Sequence, residues 1–408
     1  MTTSLRIGFV GTGFIAGFHL KSLLGVRHVQ IVAAFSRTPA RREAFARDVD
    51  ALELGPCSAY GSLDDLLEHR GLDAVWILVP NYERLPVMRA IHAAVREKRS
   101  SLRAVACEKP LGRNLAEAVE MLRLANDVGL LHGYLENQVF ALAVERSRDI
   151  IWRRAAPIAG RPYLARTAEE HSGPHEPWFW RGDQQGGGVM SDMMCHSVEV
   201  GRFLLTAPGA ERASLTVRSV SGHVSHLKWR QRGYAAELHA RFGVDAFDRK
   251  VEDFARATVV LEDREGAELV IEASTSWAYV GPGLRIDLAL LGPEYSVEFS
   301  SLNSALKIFL SRRITGASGE DLLEKQNAEQ GLMPVIEDEA GTYGYTLENR
   351  HMVDSFRAGR PPMETFFDGV EVTRIIMGLY KSAEIGRVVN FPDAELEHYV
   401  PEAARDRR

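Results

Sequence analysis

The stretch GFVGTGFIA (8–16) constrains this chain more than any other. It sets Gly11, Gly13 and Ala16 in G-x-G-x-x-A spacing, between an apolar run, LRIGFV (5–10), and an amphipathic one, FIAGFHLKSLL (14–24). A strand that turns on glycine straight into a helix is the opening half of a βαβ unit. Gly11 permits the tight turn, Gly13 lets backbone approach a pyrophosphate, and Ala16 lets helix and strand pack closely. Phe14 and Ile15 open the helix, whose N-terminus faces the phosphate charge. The expectation is a dinucleotide-binding site.

The following residues repeat the alternation. VQIVAAFS (29–36), DAVWILVP (73–80) and RAVACEK (103–109) read as strands. PARREAFARDV (39–49), LPVMRAIHAAV (85–95) and NLAEAVEMLRLANDV (114–128) read as helices. Apolar strands joined by amphipathic helices imply a doubly wound parallel sheet covered on both faces. This α/β nucleotide domain is expected over residues 1–136, and a second, α+β domain over 137–408. There a helix near 140–153 leads to a strand at 161–171, a loop, and a helix from about Val189 to Leu205. Strands near 213–225, 254–263, 267–277, 285–292, 295–300 and 305–311 suggest an open, mostly antiparallel sheet, with EDREGA (262–267) as a hairpin turn. The segment 228–253 has no clear period, and helices near 344–359 and 368–386 close the chain.

Length and composition fit this picture: 408 residues, 45% hydrophobic and 25% charged, are enough for two domains with a large core. The net charge of -6, without a basic tail or Arg-rich stripe, argues against a nucleic-acid partner. Apolar runs such as LDAVWILVP (72–80) are too short for a bilayer. MTTSLRIGFV runs almost directly into structure, and Cys57, Cys107 and Cys195 have no metal-like or disulfide spacing. The expectation is a reduced, cytoplasmic protein.

Which nicotinamide dinucleotide binds stays open. An acidic residue at the end of the second strand would bond the ribose hydroxyls of NAD; Ser36-Arg37-Thr38 stands there instead. Arg37 can stack on adenine and pair with the 2′-phosphate of NADP, or remain solvated and tolerate NAD. Pro80 and Asn81 at the end of the third of these strand runs, and Glu108 and Lys109 at the end of the fourth, are further cofactor candidates.

Two motifs carry the chemistry. In CEKPL (107–111), Lys109 follows a strand at the carboxyl edge, and Pro110 favours an extended Lys109. The bland reading is a charged turn; the sharper one is a lysine placed to handle a proton. In GGGVMSDMMCHSVEV (186–200), Asp192 and His196 lie four apart on one helix face. His196 can exchange a proton near neutral pH, and Asp192 can orient it or bind a hydroxyl. An Asp-x-x-x-His pair could be half of a metal site, but no third ligand has convincing spacing, so no metal is assigned. The intervening loop holds His171, His175, Trp178, Trp180 and Arg181, with Arg166 on the strand before it. Such side chains suit a sugar ring or an anionic group, although at least one Trp is expected in the core.

GTGFIA, CEKPL and GGGVMSDMMCHSVEV together resemble the glucose-fructose oxidoreductase, inositol dehydrogenase and rhizopine-catabolism family over nearly the whole chain. The resemblance implies hydride transfer between NAD or NADP and a sugar, cyclitol or related polyol. It makes Lys109 the catalytic lysine, Asp192 and His196 the substrate-facing pair, and Trp180-Arg181 the family's cofactor-side WR. It also implies a homo-oligomer, a dimer or tetramer assembled through the open sheet. Three positions depart from the pattern: Arg84 replaces a usual His, Met194 a frequent Gly, and Glu199 a usual Asp. Some proteins resembling this family are oxidoreductive glycosidases, which oxidise a sugar transiently at C3, eliminate the aglycone, add water and return the hydride. The histidine- and arginine-bearing loop would suit an acidic or sulfonated sugar, so a sulfoquinovosidase is the named alternative. A base for the C2 proton would then be needed, with Tyr134, His171, His175 and Tyr345 as candidates.

Overall fold

The computed structural model describes residues 4–247, 251–303, 306–310, 331–335 and 338–405. Its first sheet comprises β1 (Leu5–Val10), β2 (Val29–Phe35), β3 (Ser58–Tyr60), β4 (Ala74–Ile77), β5 (Ala104–Glu108) and β6 (Leu131–Leu135). All pair in parallel, in the order β3-β2-β1-β4-β5-β6. Helices between the strands cover the sheet, so every residue of β4 and β5 is buried, and the expected apolar runs follow from that. The strand order reverses beside β1, the place where such sheets bind ligands outside their carboxyl ends.

The structure adds two strands to the four read from sequence. β3 is an edge strand of only three residues, too short to show a period. β6 is interrupted by Gly133, where a Cβ would lie 2.6 Å from Met352 Sδ. That glycine serves a close approach and hides the strand pattern. The helix read from Leu85 begins at Asn81 and runs to Arg96, with Pro86 in its second turn rather than at its start.

The chain divides into two compact units. One takes in the chain to Ala141 together with Tyr343–Thr373; the other takes in Leu142–Thr342 and the chain from Arg374 onward. The first unit thus regains a helix, Tyr345–Arg357, which packs on the helix Phe14–Leu23, on β1 and on β6. Met352, Val353 and Phe356 are its buried apolar contribution, with Phe356 edge-on to Trp76 at 5.9 Å between ring centres.

The second unit is built on a seven-stranded sheet: β7 (Leu164–Glu170), β8 (Thr216–Ser225), β9 (Phe254–Glu262), β10 (Glu268–Ser276), β11 (Arg285–Gly292), β12 (Tyr295–Ser300), and a last strand, Val389–Asn390. The order is β12-β11-β7-β10-β9-β8 followed by that last strand, and only the β7–β10 pair is parallel. Between β9 and β10, Asp263 Oδ1 accepts the N–H groups of Glu265 and Ala267 at 2.9 and 2.8 Å, which closes the expected hairpin. The helix Val189–Leu205 packs on β7, β9 and β10 and is buried along its whole length. The strand expected at 305–311 does not extend this sheet. As β13 (Leu306–Leu310) it pairs with β14 (Gly331–Val335) in a separate ribbon. The undecided segment 228–253 contains a helix, Arg232–Phe242, that ends on Gly243 at φ +64°; residues 248–250 lie outside the described ones. Among the described residues, no helix is long and apolar enough to cross a membrane.

Candidate active site

In the first unit, Gly11 ends β1 at φ +108°, and a Cβ there would lie 2.7 Å from the Leu78 carbonyl oxygen. Gly13 differs: its φ is -85°, and a Cβ would meet nothing within 4 Å. The helix starting at Phe14 and Ile15 has no side-chain cap, Ala16 is buried beneath it, and Thr12 Oγ1 is buried with no partner among the described residues. Open space before an uncapped helix N-terminus, with an unmatched hydroxyl beside it, fits a dinucleotide's pyrophosphate.

The neighbouring strands deliver the other expected residues to the same edge. Ser36 and Arg37 follow β2, and the exposed Arg37 guanidinium is ion-paired to Glu83. Pro80 and Asn81 follow β4 and begin the helix Asn81–Arg96. Arg84, three residues on, is 5% exposed; it donates to the Pro110 carbonyl and, from Nε, to the Val79 carbonyl at 3.2 Å. The residue that departs from the family pattern therefore braces the Glu108-Lys109-Pro110 turn through backbone.

β5 ends at Glu108, and Lys109 is the next residue, half-buried, with a cis bond to Pro110. Glu108 is buried. Its Oε1 lies 3.0 Å from His19 Nε2, and its Oε2 accepts the Lys109 backbone N–H at 3.0 Å. Burial pushes this carboxyl up, yet the His19 hydrogen bond and the positive charges of Lys109 and Arg84 together hold it below the usual carboxylate range. Behind His19, Asn349 Nδ2 lies 2.9 Å from the ring's Nδ1, and Asn349 Oδ1 accepts from Trp76 Nε1 at 2.9 Å. Tyr345 sits edge-on to His19 at 5.5 Å, and Tyr134 is fully buried on β6.

In the second unit the glycine run has a local explanation. Gly186 and Gly187 have φ +97° and +151°; a Cβ on Gly187 would lie 2.1 Å from the Tyr380 hydroxyl, and one on Gly188 would lie 2.4 Å from the Glu252 carbonyl oxygen. These neighbours cap the helix Val189–Leu205. Glu252 Oε1 accepts the N–H groups of Gly188 and Met190 at 3.1 and 3.0 Å and the Tyr380 hydroxyl at 2.7 Å. Tyr380 Oη in turn accepts from Gly188 and Ser191 at 3.0 and 3.1 Å. Burial drives the Glu252 carboxyl up to about 7 against these hydrogen bonds.

One turn into that helix, Asp192 is 5% exposed, and its Oδ2 accepts from Trp277 Nε1 at 3.2 Å; His196 is 4% exposed. Glu199 is buried between Arg202 and Arg212, the latter at 2.7 Å. In the loop, His171 is buried and its Nδ1 accepts the Gly173 N–H at 3.0 Å, whereas His175 and Arg181 are half-buried. Trp180 is the core tryptophan: 3% exposed, it packs against Trp229 and Trp277 at about 5 Å and donates to the Pro174 carbonyl. Trp178 is half-buried and stacks on Phe179 at 3.8 Å. Arg166 does not join them. Thr167 reaches the Ser197 carbonyl of the helix at 3.1 Å, so its neighbour Arg166 points to the opposite face of β7, where it pairs with Glu272 at 2.6 Å.

Sequence reading missed His19, Asn349, Glu252, Tyr380 and Trp277. His19 carried a weak signal, a polar residue on the buried side of the first helix; the others become visible only through tertiary contacts.

Comparison with known proteins agrees with this architecture. Residues 5–134 match the family described as oxidoreductase family, NAD-binding Rossmann fold, and residues 156–290 match the GFO/IDH/MocA C-terminal domain. A 1,5-anhydro-D-fructose reductase of Ensifer adhaerens is 28% identical over 52% of this chain and 60% of its own length. A putative UDP-kanosamine synthase oxidoreductase subunit of Amycolatopsis mediterranei is 30% identical over 67% of this chain and 69% of its own. The chain thus spans about three fifths of the first of these relatives and somewhat more of the second. The crystal structure of GenD2 from gentamicin A biosynthesis in complex with NAD superposes with a TM-score of 0.74, covering 96% of this chain and 98% of that one at 24% identity, a likeness of fold.

Proposed function

The chain belongs to the GFO/IDH/MocA oxidoreductase family, with its NAD-binding Rossmann domain, and from that premise we propose that it oxidises or reduces a CH–OH group of a sugar, cyclitol or glycoside. The observation that carries this reading is Lys109 leaving β5 on the carboxyl edge that also holds the open space at Gly13. The relatives named as a 1,5-anhydro-D-fructose reductase and a putative UDP-kanosamine synthase oxidoreductase subunit support the substrate class. NAD or NADP, when bound, accepts or returns a hydride. Lys109 takes or gives the hydroxyl proton, His196 shares that role, and Asp192, its carboxylate oriented by Trp277, holds a substrate hydroxyl. Arg37 is paired with Glu83, an acidic neighbour that a 2′-phosphate would also meet, so both cofactors stay within the proposal.

The test is incubation with catalytic NAD⁺ and a panel of free sugars and aryl glycosides, including a sulfoquinovoside, with reduced nicotinamide and released aglycone recorded together. Reduced cofactor in proportion to sugar consumed supports a net dehydrogenase. Many aglycones per NAD⁺ without net reduction would instead identify an oxidoreductive glycosidase. Neither signal across the panel, with NAD⁺ bound, would reject the proposed substrate class.

A further inference from the structure

A run of buried polar contacts leads from the helix Tyr345–Arg357 to the backbone of Lys109. Trp76 Nε1 can only donate, so its 2.9 Å contact identifies the Asn349 atom facing it as the carbonyl oxygen. The Asn349 amide nitrogen is then the atom 2.9 Å from His19 Nδ1, with Ser22 Oγ at 2.8 Å and the Tyr345 carbonyl at 3.0 Å. An amide nitrogen cannot accept, so His19 Nδ1 carries no proton and the ring's N–H is on Nε2. That N–H points at Glu108 Oε1, 3.0 Å away, and Glu108 Oε2 accepts the Lys109 N–H. Trp76, Asn349 and His19 are at most 0% exposed, so no water substitutes for a lost partner.

We propose that Asn349 and His19 are positioning residues for Lys109: Asn349 fixes the ring of His19, His19 fixes the Glu108 carboxyl group through its Nε2, and Glu108 holds the turn that presents the lysine. The proposal rests on the reading of Lys109 as the proton-handling group. Facing Glu108 are His19 from the first helix, Arg84 from the helix Asn81–Arg96, the adjacent Lys109, and Glu348 from the same helix as Asn349. Burial, with Glu108, Glu136 and Glu364 nearby, keeps the Glu348 carboxyl well above its ordinary range. Losing the His19 N–H would leave Glu108 Oε1 without its donor and free the carboxylate to turn away from the Lys109 N–H, so the anion would no longer be held beside the lysine.

The experiment is competitive chemical labelling of Lys109 as a function of pH, which reads its titration whether or not a substrate is known. In His19→Phe, the labelling midpoint is expected to fall by about one pH unit. In His19→Gln, which keeps a donor toward Glu108 and an acceptor toward Asn349, it is expected to stay near the starting value. An unmoved midpoint in His19→Phe, or an equal fall in both variants, overturns the proposal. Should His19→Phe fail to fold, NMR of the labelled imidazole in the unmodified protein decides: an Nε2–H ring is expected, and a proton on Nδ1 overturns it. Turnover of Lys109→Ala is measured alongside. Near-normal turnover there rejects the catalytic reading alone, because the labelling and NMR results do not depend on it.

Discussion

Gly11 and Gly13 are two residues apart and do different work. At Gly11 the positive φ and the Leu78 carbonyl exclude a Cβ, whereas at Gly13 neither backbone nor neighbour does. Gly11→Ala should therefore lower thermal stability, by roughly 2 kcal/mol or more. Gly13→Ala should leave the melting temperature nearly unchanged and weaken NAD binding by about tenfold or more, since its methyl group enters the space a pyrophosphate would use. Calorimetric melting and cofactor titration on both variants check this pair. Arg37 makes a second residue-scale case. Its partner Glu83 is an anion where a 2′-phosphate would approach, so Glu83→Gln should raise NADP affinity relative to NAD by about tenfold, read by titration with each cofactor. An unchanged ratio would show that Glu83 does not oppose a 2′-phosphate at this position. The sequence pattern was legible here because a glycine's role at a turn is local. The Arg37 pairing was not, because Glu83 comes from a different βα unit.

Among the elements, the helix Val189–Leu205 shows how far a local pattern reaches. Its limits were readable from Gly188 at one end and the apolar run to Leu205 at the other, but not what holds its start. Glu252 precedes β9 and Tyr380 lies in the last long helix, so no spacing in the chain connects them to the glycine run. Their pairing has a pH signature. The Glu252 carboxyl is raised from 4.5 to about 7, so between those values the folded protein keeps a proton that the unfolded chain has released. Stability contributed by this group is therefore greatest in acid, declines as pH rises through that window, and is level above it. Glu252→Gln retains an acceptor for the two N–H groups and Tyr380 without the ionisation. Its stability relative to the unmodified protein should rise between pH 5 and pH 8 by up to about 3 kcal/mol. Denaturant unfolding at several pH values measures that difference, and a constant difference would show that Glu252 does not titrate there.

At the scale of the whole molecule, the division of the chain follows contacts rather than sequence order. The periodic strands and helices of the first 130 residues announced the nucleotide fold, but they gave no sign that Tyr343–Thr373 completes it. Asn349, Met352 and Phe356 have ordinary helical spacing, and only the buried faces of Trp76, His19 and Gly133 show where they belong. A chain ending at Ala141 would leave those faces uncovered. It should be unfolded or bind NAD at least tenfold more weakly than the full chain, by circular dichroism and titration, and linking Tyr343–Thr373 to it should restore both. The same arrangement sets a schedule for synthesis. Some 201 residues, Leu142 to Thr342, separate the two parts of the first unit. At about 5–20 residues per second the ribosome needs roughly 10–40 s to make them. For that interval a nascent nucleotide domain waits with His19 and Trp76 unmatched, and its fold closes only when Tyr343–Thr373 has been made.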